Sequence, residues 1–343
     1  MSRAHLLPLV LCFTFAFLAV ECGSDGETKH YKYIGNAEWS PVSNNTMIIS
    51  KDEFDVTTGK SSGCANEVVD EIPPPVSYDL FVVDTLGRVI RQLTAGSGLA
   101  PTFRIKWSPR GDRFLIWGNP LPTLHIVDTA GTITRIDSLS YTSDADWSPD
   151  GSRFVCSSFK RGGTLAHLYS VTTAGVSTLM LSDTIRTGAV AWSKLNTIAF
   201  EFASGTTASL ALLDSNGGNF RFLDSAAYFN FIAWSPDGGT LLYTRSTSTI
   251  YDAIAQNITT GQKLTLLEFL DNTQVSSLRY SPSAAFISFY TISTSGQYHL
   301  YVMNADGTNI QSVASQSTDG TWSPDSKSLS YVYYNEILTK RMP

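Results

Sequence analysis

The stretch Trp147-Ser148-Pro149-Asp150-Gly151 decides the fold. Pro149 presets the backbone angle for an early turn position, Asp150 can bond the backbone locally, and Gly151 adopts positive φ without strain. Trp147, directly before the turn, is large enough to fill the gap between two packed sheets. The five residues therefore predict the end of one strand, a tight turn and the start of the next strand.

The motif recurs along the chain. Its aromatic residue stands at Trp39, Trp107, Trp147, Trp192, Trp234, Tyr280 and Trp322, at intervals of 68, 40, 45, 42, 46 and 42 residues. A second marker, a glycine in a tight turn, stands at Gly87, Gly131, Gly175, Gly217, Gly261 and Gly307. Two independent markers that share one period of about 44 residues predict a repeat protein.

Each period has room for four short strands. In the second period we predict strands at residues 103–107, 113–117, 123–127 and 132–136. Units of this kind, repeated every ~40–50 residues, are typical of propeller blades. Helix-pair solenoids share the period, but the amphipathic helices that they need are missing from the sequence. We therefore predict an all-β protein, a seven-bladed β-propeller of four-stranded antiparallel blades, with six blades as the alternative.

The first and last repeats depart from the pattern. The last one, from Trp322, has room for three strands, and residues 30–34 form a spare alternating strand before the first motif. We predict that this N-terminal strand completes the seventh blade and closes the ring, because closure removes exposed sheet edges. The first repeat carries an insertion at about residues 51–75, interpreted either as a binding flap or as a tolerated surface insertion.

Composition excludes several classes of protein. Hydrophobic residues make up 43% of the 343 residues, so the chain is not disordered. Charged residues are 16%, against a usual ~25%, and Ser, Thr, Tyr and Phe, which suit half-buried strands, replace them. The net charge of −6 argues against a nucleic-acid partner, which requires a basic surface.

The N-terminus is predicted as a signal peptide, residues 1–21, because its apolar run is too short to span a bilayer comfortably. Cys22 follows, as in bacterial lipoprotein signals, which implies lipidation of Cys22 and an exported, periplasmic or membrane-anchored protein. Glu21 departs from that signal, where a small residue is usual, so simple export and an uncleaved anchor stay open. Residues 22–29 are predicted as a linker, and residues 30–343 as a single propeller domain.

The Trp/Tyr-Ser-Pro-(Asp)-(Gly) motifs, clearest at residues 147–151 and 234–238, resemble the WD-repeat-like repeats of TolB-like exported propellers. Residues 301–307 also match the third strand and turn of that family. The resemblance covers essentially the whole mature chain and implies a propeller alone, without the α/β domain of TolB itself. It says little about function, because the motif builds blades. The partner that it implies is a cell-envelope protein or peptide.

Function on a repeat scaffold concentrates where loops vary. The Ser-Pro-Asp-Gly and Asp-x-x-Gly turns are predicted on one face of the ring, here called the turn face. Loops between second and third strands, and the links between blades, lie on the opposite, variable face. Exposed aromatic and basic residues are typical of binding hot spots. The candidate binding face is therefore Tyr141, Lys160, Arg161, Arg186, Tyr228, Phe229 and Tyr251.

No catalytic residue, metal or cofactor is predicted. Residues 59–63 match the G-x-S-x-G pattern around Ser61, but the strand, helix and α/β domain that this pattern requires are absent. His125, His167 and His299 fall in third strands, too far apart to share one ion. Cys64 and Cys156 are a possible disulfide pair, because export permits one.

The sequence thus favours a non-catalytic binding platform, with membrane contact only through a lipid anchor. Two alternatives stay open. One is a propeller enzyme, of carbohydrate lyase or peptidase type, with its site in the central channel. The other is a small-ligand sensor.

Overall fold

The computed structural model describes residues 28–57, 77–96, 99, 104–118, 124–181, 186–204, 207–226, 228–246, 250–269, 273–317, 320–333 and 336–342. Every regular element in these ranges is a β-strand, and none of the described residues forms a helix that could span a membrane. The signal peptide, Cys22, Ser61 and Cys64 lie outside these ranges.

The strands fall into seven consecutive blades. Blade one comprises β1 (Thr28–Trp39), β2 (Thr46–Thr57), β3 (Ser77–Asp84) and β4 (Val89–Gln92). Blade two comprises β5 (Arg104–Trp107), β6 (Arg113–Trp117), β7 (His125–Asp128) and β8 (Ile133–Arg135). Blade three comprises β9 (Leu139–Trp147), β10 (Arg153–Lys160), β11 (Ala166–Thr172) and β12 (Ser177–Leu179).

Blades four to seven follow in chain order. Blade four comprises β13 (Arg186–Trp192), β14 (Thr197–Ser204), β15 (Thr207–Asp214) and β16 (Arg221–Ala226). Blade five comprises β17 (Tyr228–Trp234), β18 (Thr240–Ser246), β19 (Tyr251–Asn257) and β20 (Lys263–Phe269). Blade six comprises β21 (Gln274–Tyr280), β22 (Phe286–Ile292), β23 (Tyr298–Asn304) and β24 (Gln311–Ser315). Blade seven comprises β25 (Gly320–Trp322), β26 (Ser328–Tyr333) and β27 (Glu336–Arg341).

Each blade is an antiparallel meander in which every strand pairs with the next one in sequence. Six sheets have four strands, and the seventh has three among the described residues. The prediction of an all-β, seven-bladed propeller is therefore confirmed. The strands of blade two match the predicted boundaries to within two residues.

The prediction that residues 30–34 complete the seventh blade is wrong. Residues 30–34 belong to the continuous strand β1, and they pair with the extended end of β2, as in His30 with Asp55 and Tyr33 with Asp52. Residues 51–57 of the insertion are therefore strand, and they pair with the N-terminal strand across one hairpin whose loop is residues 40–45. The strand begins at Thr28, inside the predicted linker. Residues 58–76 of the insertion lie outside the described ranges.

The ring closes by side-chain contacts between blades seven and one. The backbone N–H of Trp39 donates to Oγ1 of Thr321 at 3.2 Å. Arg279 of blade six donates to both carboxylate oxygens of Glu38 in blade one, at 3.0 and 2.9 Å. This ion pair connects blades six and one, which are neighbours of blade seven on either side. Val332 and Ile337 of blade seven pack against the buried residues of blade one. Closure thus rests on packing and polar contacts that blades six and seven make with blade one.

The motif tryptophans join successive blades. The indole Nε1 of Trp147 donates to the carbonyl of Lys106 in the preceding blade at 3.0 Å, and its ring meets Phe154 edge-on at 5.5 Å. Trp234 bonds the carbonyl of Ala191 in the same way at 3.1 Å. The buried Nε1 atoms of Trp39 and Trp192 have no acceptor in the part of the chain described. The tryptophans are therefore packing residues, as predicted.

The turn after each motif is held by its own side chains. Ser148 donates to Oδ1 of Asp150 at 2.6 Å, the same oxygen accepts the N–H of Ser152 at 3.1 Å, and Gly151 has φ of 63°. These hydrogen bonds lower the pKa of Asp150 to about 2. The two kinds of turn share one face, because Thr129 N in the second kind donates to the Asp112 carbonyl in the first at 3.0 Å.

Candidate functional site

The first strand of each blade is called here the inner strand. In blades one, four and five this strand is irregular near its variable-face end. The pairing register shifts between Ile34 and Ala37 in blade one, between Thr187 and Val190 in blade four, and between Phe229 and Ile232 in blade five. A bulge of this kind leaves backbone groups without a partner in the sheet, so another acceptor must satisfy them. The residue that supplies this acceptor differs between blades.

Hydroxyl groups perform this task in two blades. In blade one, Oγ of Ser50 accepts the bulge N–H of Asn36 at 3.0 Å. In blade five, Oγ1 of Thr244 accepts the N–H of Phe231 at 3.1 Å. Both hydroxyls come from the second strand, at the position opposite the bulge, and both side chains are buried. A small polar side chain is therefore sufficient to satisfy the bulge.

Blade four carries a glutamate at the equivalent position. The carboxylate of Glu201 accepts the backbone N–H groups of Ala189 and Phe229, from the inner strands of blades four and five. A Cβ atom on Gly188 would lie 1.8 Å from Oε2 of Glu201, so any other residue at 188 would require this carboxylate to move. Burial raises the pKa of Glu201, although the two N–H groups and Arg186 lower it. The glutamate thus occupies a half-buried niche that the backbone shapes around it.

Two predicted binding-face residues, Arg186 and Tyr228, interact electrostatically with Glu201, and a third, Tyr251, interacts with Tyr228. Arg186 is exposed and attracts the carboxylate electrostatically. The side chain of Tyr228 is 47% exposed, and partial burial, then the charge of Glu201 and Tyr251, raise the pKa of its hydroxyl. We call Arg186, Glu201, Tyr228 and Tyr251 the mouth cluster, because they lie toward the variable-face ends of strands in blades four and five.

Three further predicted residues lie on the variable-face end of blade three. Tyr141 is 55% exposed, with φ of 50°, and its ring meets Phe159 edge-on at 6.1 Å. Lys160 and Arg161 are exposed at the end of β10. The exposed candidate residues at this face are thus spread over blades three, four and five.

Phe229 is a correction to the predicted binding face. Its ring is 1% exposed and packs against Tyr243 at 6.0 Å, within the core between blades four and five. Neighbouring residues of a strand point to opposite faces, so the exposure of Tyr228 places Phe229 in the core. Phe229 cannot contact a partner directly.

Below the mouth cluster, the charges of the inner strands are paired. Arg104 lies 3.7 Å from Asp144, whose second oxygen accepts the N–H of Val190 at 3.0 Å. Burial raises the pKa of Asp144 against the opposing effects of Arg104 and Lys106. The Arg104 guanidinium also stands 5.6 Å from the ring centre of Phe231 in blade five. This contact joins blades two and five across the space that the ring encloses.

A second ion pair, between Lys106 and Asp146, connects neighbouring blades. Lys106 of blade two contacts Oδ1 of Asp146 in blade three at 2.9 Å. The other oxygen of Asp146 accepts the N–H of Trp192 in blade four at 2.8 Å. One carboxylate thus bridges three blades.

The predicted histidines and cysteines lie apart from the mouth cluster. His125, His167 and His299 are in the third strands β7, β11 and β23, as predicted. Within the described ranges, no three His, Cys, Asp or Glu side chains form a group suited to a metal ion. Cys156 is fully buried, which raises the pKa of its thiol. Its disulfide with Cys64 and the lipidation of Cys22 stay predictions.

Glu201 was not identified from the sequence, because a charged residue in a strand such as β14 does not by itself indicate a functional site. Aligning the second strands of the blades by their pairing would have revealed it. The position holds Ser50, Ser158 and Thr244 in blades one, three and five, and glutamate in blade four.

Together these features define a seven-bladed β-propeller with WD-repeat-like motifs. No protein-family model matches the sequence, and no curated protein matches it either.

Solved structures do match the fold. An oligogalacturonate lyase in complex with manganese has a TM-score of 0.65 and 15% identity, covering 92% of this chain and 91% of that chain. A putative TolB from Agrobacterium tumefaciens has a TM-score of 0.55 and 16% identity, covering 74% and 94%. The Cps50 (Swd1) propeller domain from Myceliophteria thermophila has a TM-score of 0.62 and 12% identity, covering 92% and 98%. The resemblance to TolB-like and WD-repeat-like propellers is thus confirmed for the fold.

Proposed function

We propose that this protein is an exported, non-catalytic binding platform that engages a protein or peptide of the cell envelope through its variable face. The observation that carries the proposal is the position of six predicted residues on three successive blades. Tyr141, Lys160 and Arg161 lie on blade three, Arg186 on blade four, and Tyr228 and Tyr251 on blade five. Exposed aromatic and basic side chains in one area are typical of protein-binding hot spots.

The two faces differ in what their polar side chains do. On the turn face, side chains such as Ser148 and Asp150 bond their own turn and are thereby occupied. On the variable face, Lys160, Arg161 and Arg186 extend into solvent. The variable face therefore has more polar groups available to a partner.

The cellular location is part of the proposal and rests on the N-terminal sequence. Residues 1–21 direct export, and acylation of Cys22 holds the protein at a membrane. Replacing Cys22→Ser should move the protein from the membrane fraction to the soluble fraction. Continued membrane retention of the variant would contradict acylation.

Capture of partners from a cell-envelope extract tests the binding face. We expect the wild type to retain a specific envelope protein, and Arg161→Glu and Tyr228→Ala to lose it without a change in melting temperature. Leu195→Ser is the matched control, because Leu195 is 66% exposed on the turn face. Equal loss in all three variants, or no loss in any, would refute the binding face. A deletion of residues 60–74 tests whether the insertion contributes as a flap.

A lyase activity on an acidic polysaccharide is the second candidate, favoured by a half-buried Glu201 that is electrostatically attracted to Arg186. The solved oligogalacturonate lyase shares the fold over most of both chains. Incubation with oligogalacturonate, with and without Mn²⁺, decides between the two. Formation of unsaturated product that Glu201→Gln abolishes would favour the enzyme, and absence of turnover favours the platform.

A further inference from the structure

The outer edge of blade seven differs from that of the other blades. Six sheets have four strands, whereas the sheet of blade seven has three among the described residues, so β27 is its outermost strand. In blades two to six, each third strand carries at least three buried side chains. None of the six side chains of β27 is buried, although it is also a third strand. The strand therefore lacks the cover that a fourth strand gives in the other blades.

Half of the backbone groups of β27 face away from its sheet. The N–H of Met342 donates to the carbonyl of Lys327 in the turn before β26 at 2.8 Å. Alternate residues of an antiparallel strand bond the partner strand, so the N–H and C=O groups of Ile337, Thr339 and Arg341 point outward. No further strand pairs with this edge in the part of the chain described. Such an edge is a template for an added strand.

The space beside this edge borders a turn of blade one. Between blades two and three, a Cβ atom on Gly175 would lie 3.2 Å from Ile136, directly after an outer strand. Between blades five and six, a Cβ atom on Gly307 would lie 3.2 Å from Leu266 of outer strand β20. The turn glycine of blade one has Ile337 of the third strand as its nearest neighbour instead, at 3.5 Å. An added strand with a leucine or isoleucine here reproduces the packing of the other interfaces.

The opposite end of β27 is basic. Lys327 and Arg341 are exposed there, and the ammonium group of Lys340 donates to the carbonyl of Ser312 in blade six at 3.2 Å. None of the three cations forms a salt bridge with a residue that the structure describes. Asp325, two residues before Lys327, offsets part of this charge. The end near the turn face therefore favours acidic side chains in an added strand.

We propose that the outer edge of β27 binds an extended segment of a partner protein, acidic in its first half and apolar in its second, which pairs as the fourth strand of blade seven. The segment runs antiparallel to β27, as β24 does to β23. Its acidic residues then lie beside Lys340 and Arg341, and its leucine or isoleucine lies beside Ile337. Main-chain hydrogen bonds supply affinity, and the side chains supply specificity. This surface is on the rim of the ring, so the inference goes beyond the proposed variable-face platform.

Binding of labelled peptides to the full chain tests the inference. The probe is an acetylated, amidated Asp-Glu-Val-Thr-Val-Leu-Thr peptide, measured by fluorescence anisotropy at physiological salt. One control peptide carries two lysines in place of the acidic residues. The other carries proline in place of the central threonine, and so cannot donate to the edge at that point. The wild type should bind both controls at least about tenfold more weakly than the probe. Equal affinity for the three peptides, or no binding of the probe, would overturn the inference.

Thr339→Pro and Thr339→Val form a matched pair of variants. Both remove the hydroxyl that bonds Oγ of Ser330 at 2.7 Å, but only proline removes the outward N–H. Proline is tolerated on an edge strand when the N–H that it removes faces away from the ladder. We expect Thr339→Pro to weaken binding of the probe by about tenfold or more, and Thr339→Val by less than about twofold. Equal losses in the two variants would contradict strand pairing.

Hydrogen exchange of the wild type decides the outcome if Thr339→Pro melts at a lower temperature. The bound probe should slow exchange of the outward amides of Ile337, Thr339 and Arg341, because each gains an acceptor. Unchanged exchange at these amides would overturn the inference, whatever the affinity of the peptide.

Charge reversal at the basic end tests the chemistry of the partner. The double variant Lys327→Glu and Arg341→Glu should bind the acidic probe more weakly and the lysine peptide more tightly than the wild type does. An unchanged preference would refute the acidic segment.

Two other occupants of the edge give distinct results. Binding of the probe only after deletion of residues 60–74 would assign the edge to the insertion of this chain. A wild-type dimer that Thr339→Pro dissociates, while Thr339→Val does not, would assign it to a second copy. Either result would overturn the partner segment.

Discussion

The contacts at the two ends of the inner strands differ in how regularly they repeat from blade to blade. At the turn end, neighbouring blades repeat one set of contacts, in which an indole N–H reaches the preceding blade and a serine and an aspartate bond the turn. At the variable end, the same backbone bulge meets Ser50, Thr244 or Glu201, according to the blade. Contacts that recur build the ring, and the carboxylate of Glu201, which replaces a hydroxyl at this position, marks a candidate site.

The largest effect is expected at the turn end. Trp147→Ala should lower the free energy of unfolding by ~3–5 kcal/mol, because it leaves a cavity between blades two and three. The buried indole also loses its bond to the carbonyl of Lys106. Denaturant unfolding followed by fluorescence measures the change, and binding of the captured envelope partner at low denaturant should be retained. Loss of that binding with unchanged stability would break the division between the two ends.

A smaller loss is expected when one bridge between blades is cut. Asp146→Ala removes the partner of Lys106 and leaves the buried N–H of Trp192 without an acceptor. An unsatisfied buried donor costs about 1–3 kcal/mol. Asp146→Asn keeps one acceptor oxygen and should lose less in the same denaturant titration. If both variants were as stable as the wild type, the carboxylate would not be part of the repeated scaffold.

Sequence periodicity predicted most of the scaffold, because each turn and each tryptophan acts locally. The location of residues 30–34 was not predictable in this way. An alternating pattern shows that a segment is a strand, but the partner is chosen by register, and residues 51–57 supplied a nearer one than blade seven. Phe229 was misplaced for the same reason. The sequence shows that Tyr228 and Phe229 point to opposite sides of the strand, but it does not show which of the two points outward.

The candidate site was predicted in part. Arg186, Tyr228 and Tyr251 were identified from their place at strand ends on the variable face, which depends on topology alone. Glu201 and Gly188 were not, because their importance appears only when the carboxylate is seen against the bulge of the neighbouring strand. A close approach between two strands has no signature in either strand by itself.

Replacing Glu201 by threonine, the equivalent residue of blade five, tests whether this position tolerates substitution without a loss of stability. Glu201→Thr supplies a hydroxyl at the bulge, as Thr244 does in blade five. We expect the free energy of unfolding to change by less than about 1 kcal/mol, because the N–H of Ala189 keeps an acceptor and the removal of a costly buried charge offsets the acceptor that the N–H of Phe229 loses. Thermal and denaturant unfolding measure it. A loss as large as that of Asp146→Ala would make Glu201 a structural residue.

The smallest effects, in pH dependence, should have opposite signs at the two ends. The pKa of Asp150 in the folded protein is about 2, below its ordinary 3.8, so the stability that it contributes is present above pH 3.8 and is lost as pH falls through 2. Asp150→Asn should therefore be less stable than the wild type near neutral pH, and the difference should shrink in acid.

Glu201 should behave in the opposite way, because its pKa in the folded protein is raised from 4.5. Its contribution is fully present below pH 4.5 and is lost as pH rises through the folded pKa. Glu201→Gln should therefore gain stability relative to the wild type over that rise. Urea unfolding of both variants from pH 2 to 7 measures the two slopes. A carboxylate that stabilises the fold belongs to the scaffold, whereas Glu201 is one that the fold holds at a cost, so slopes of equal sign would remove that distinction.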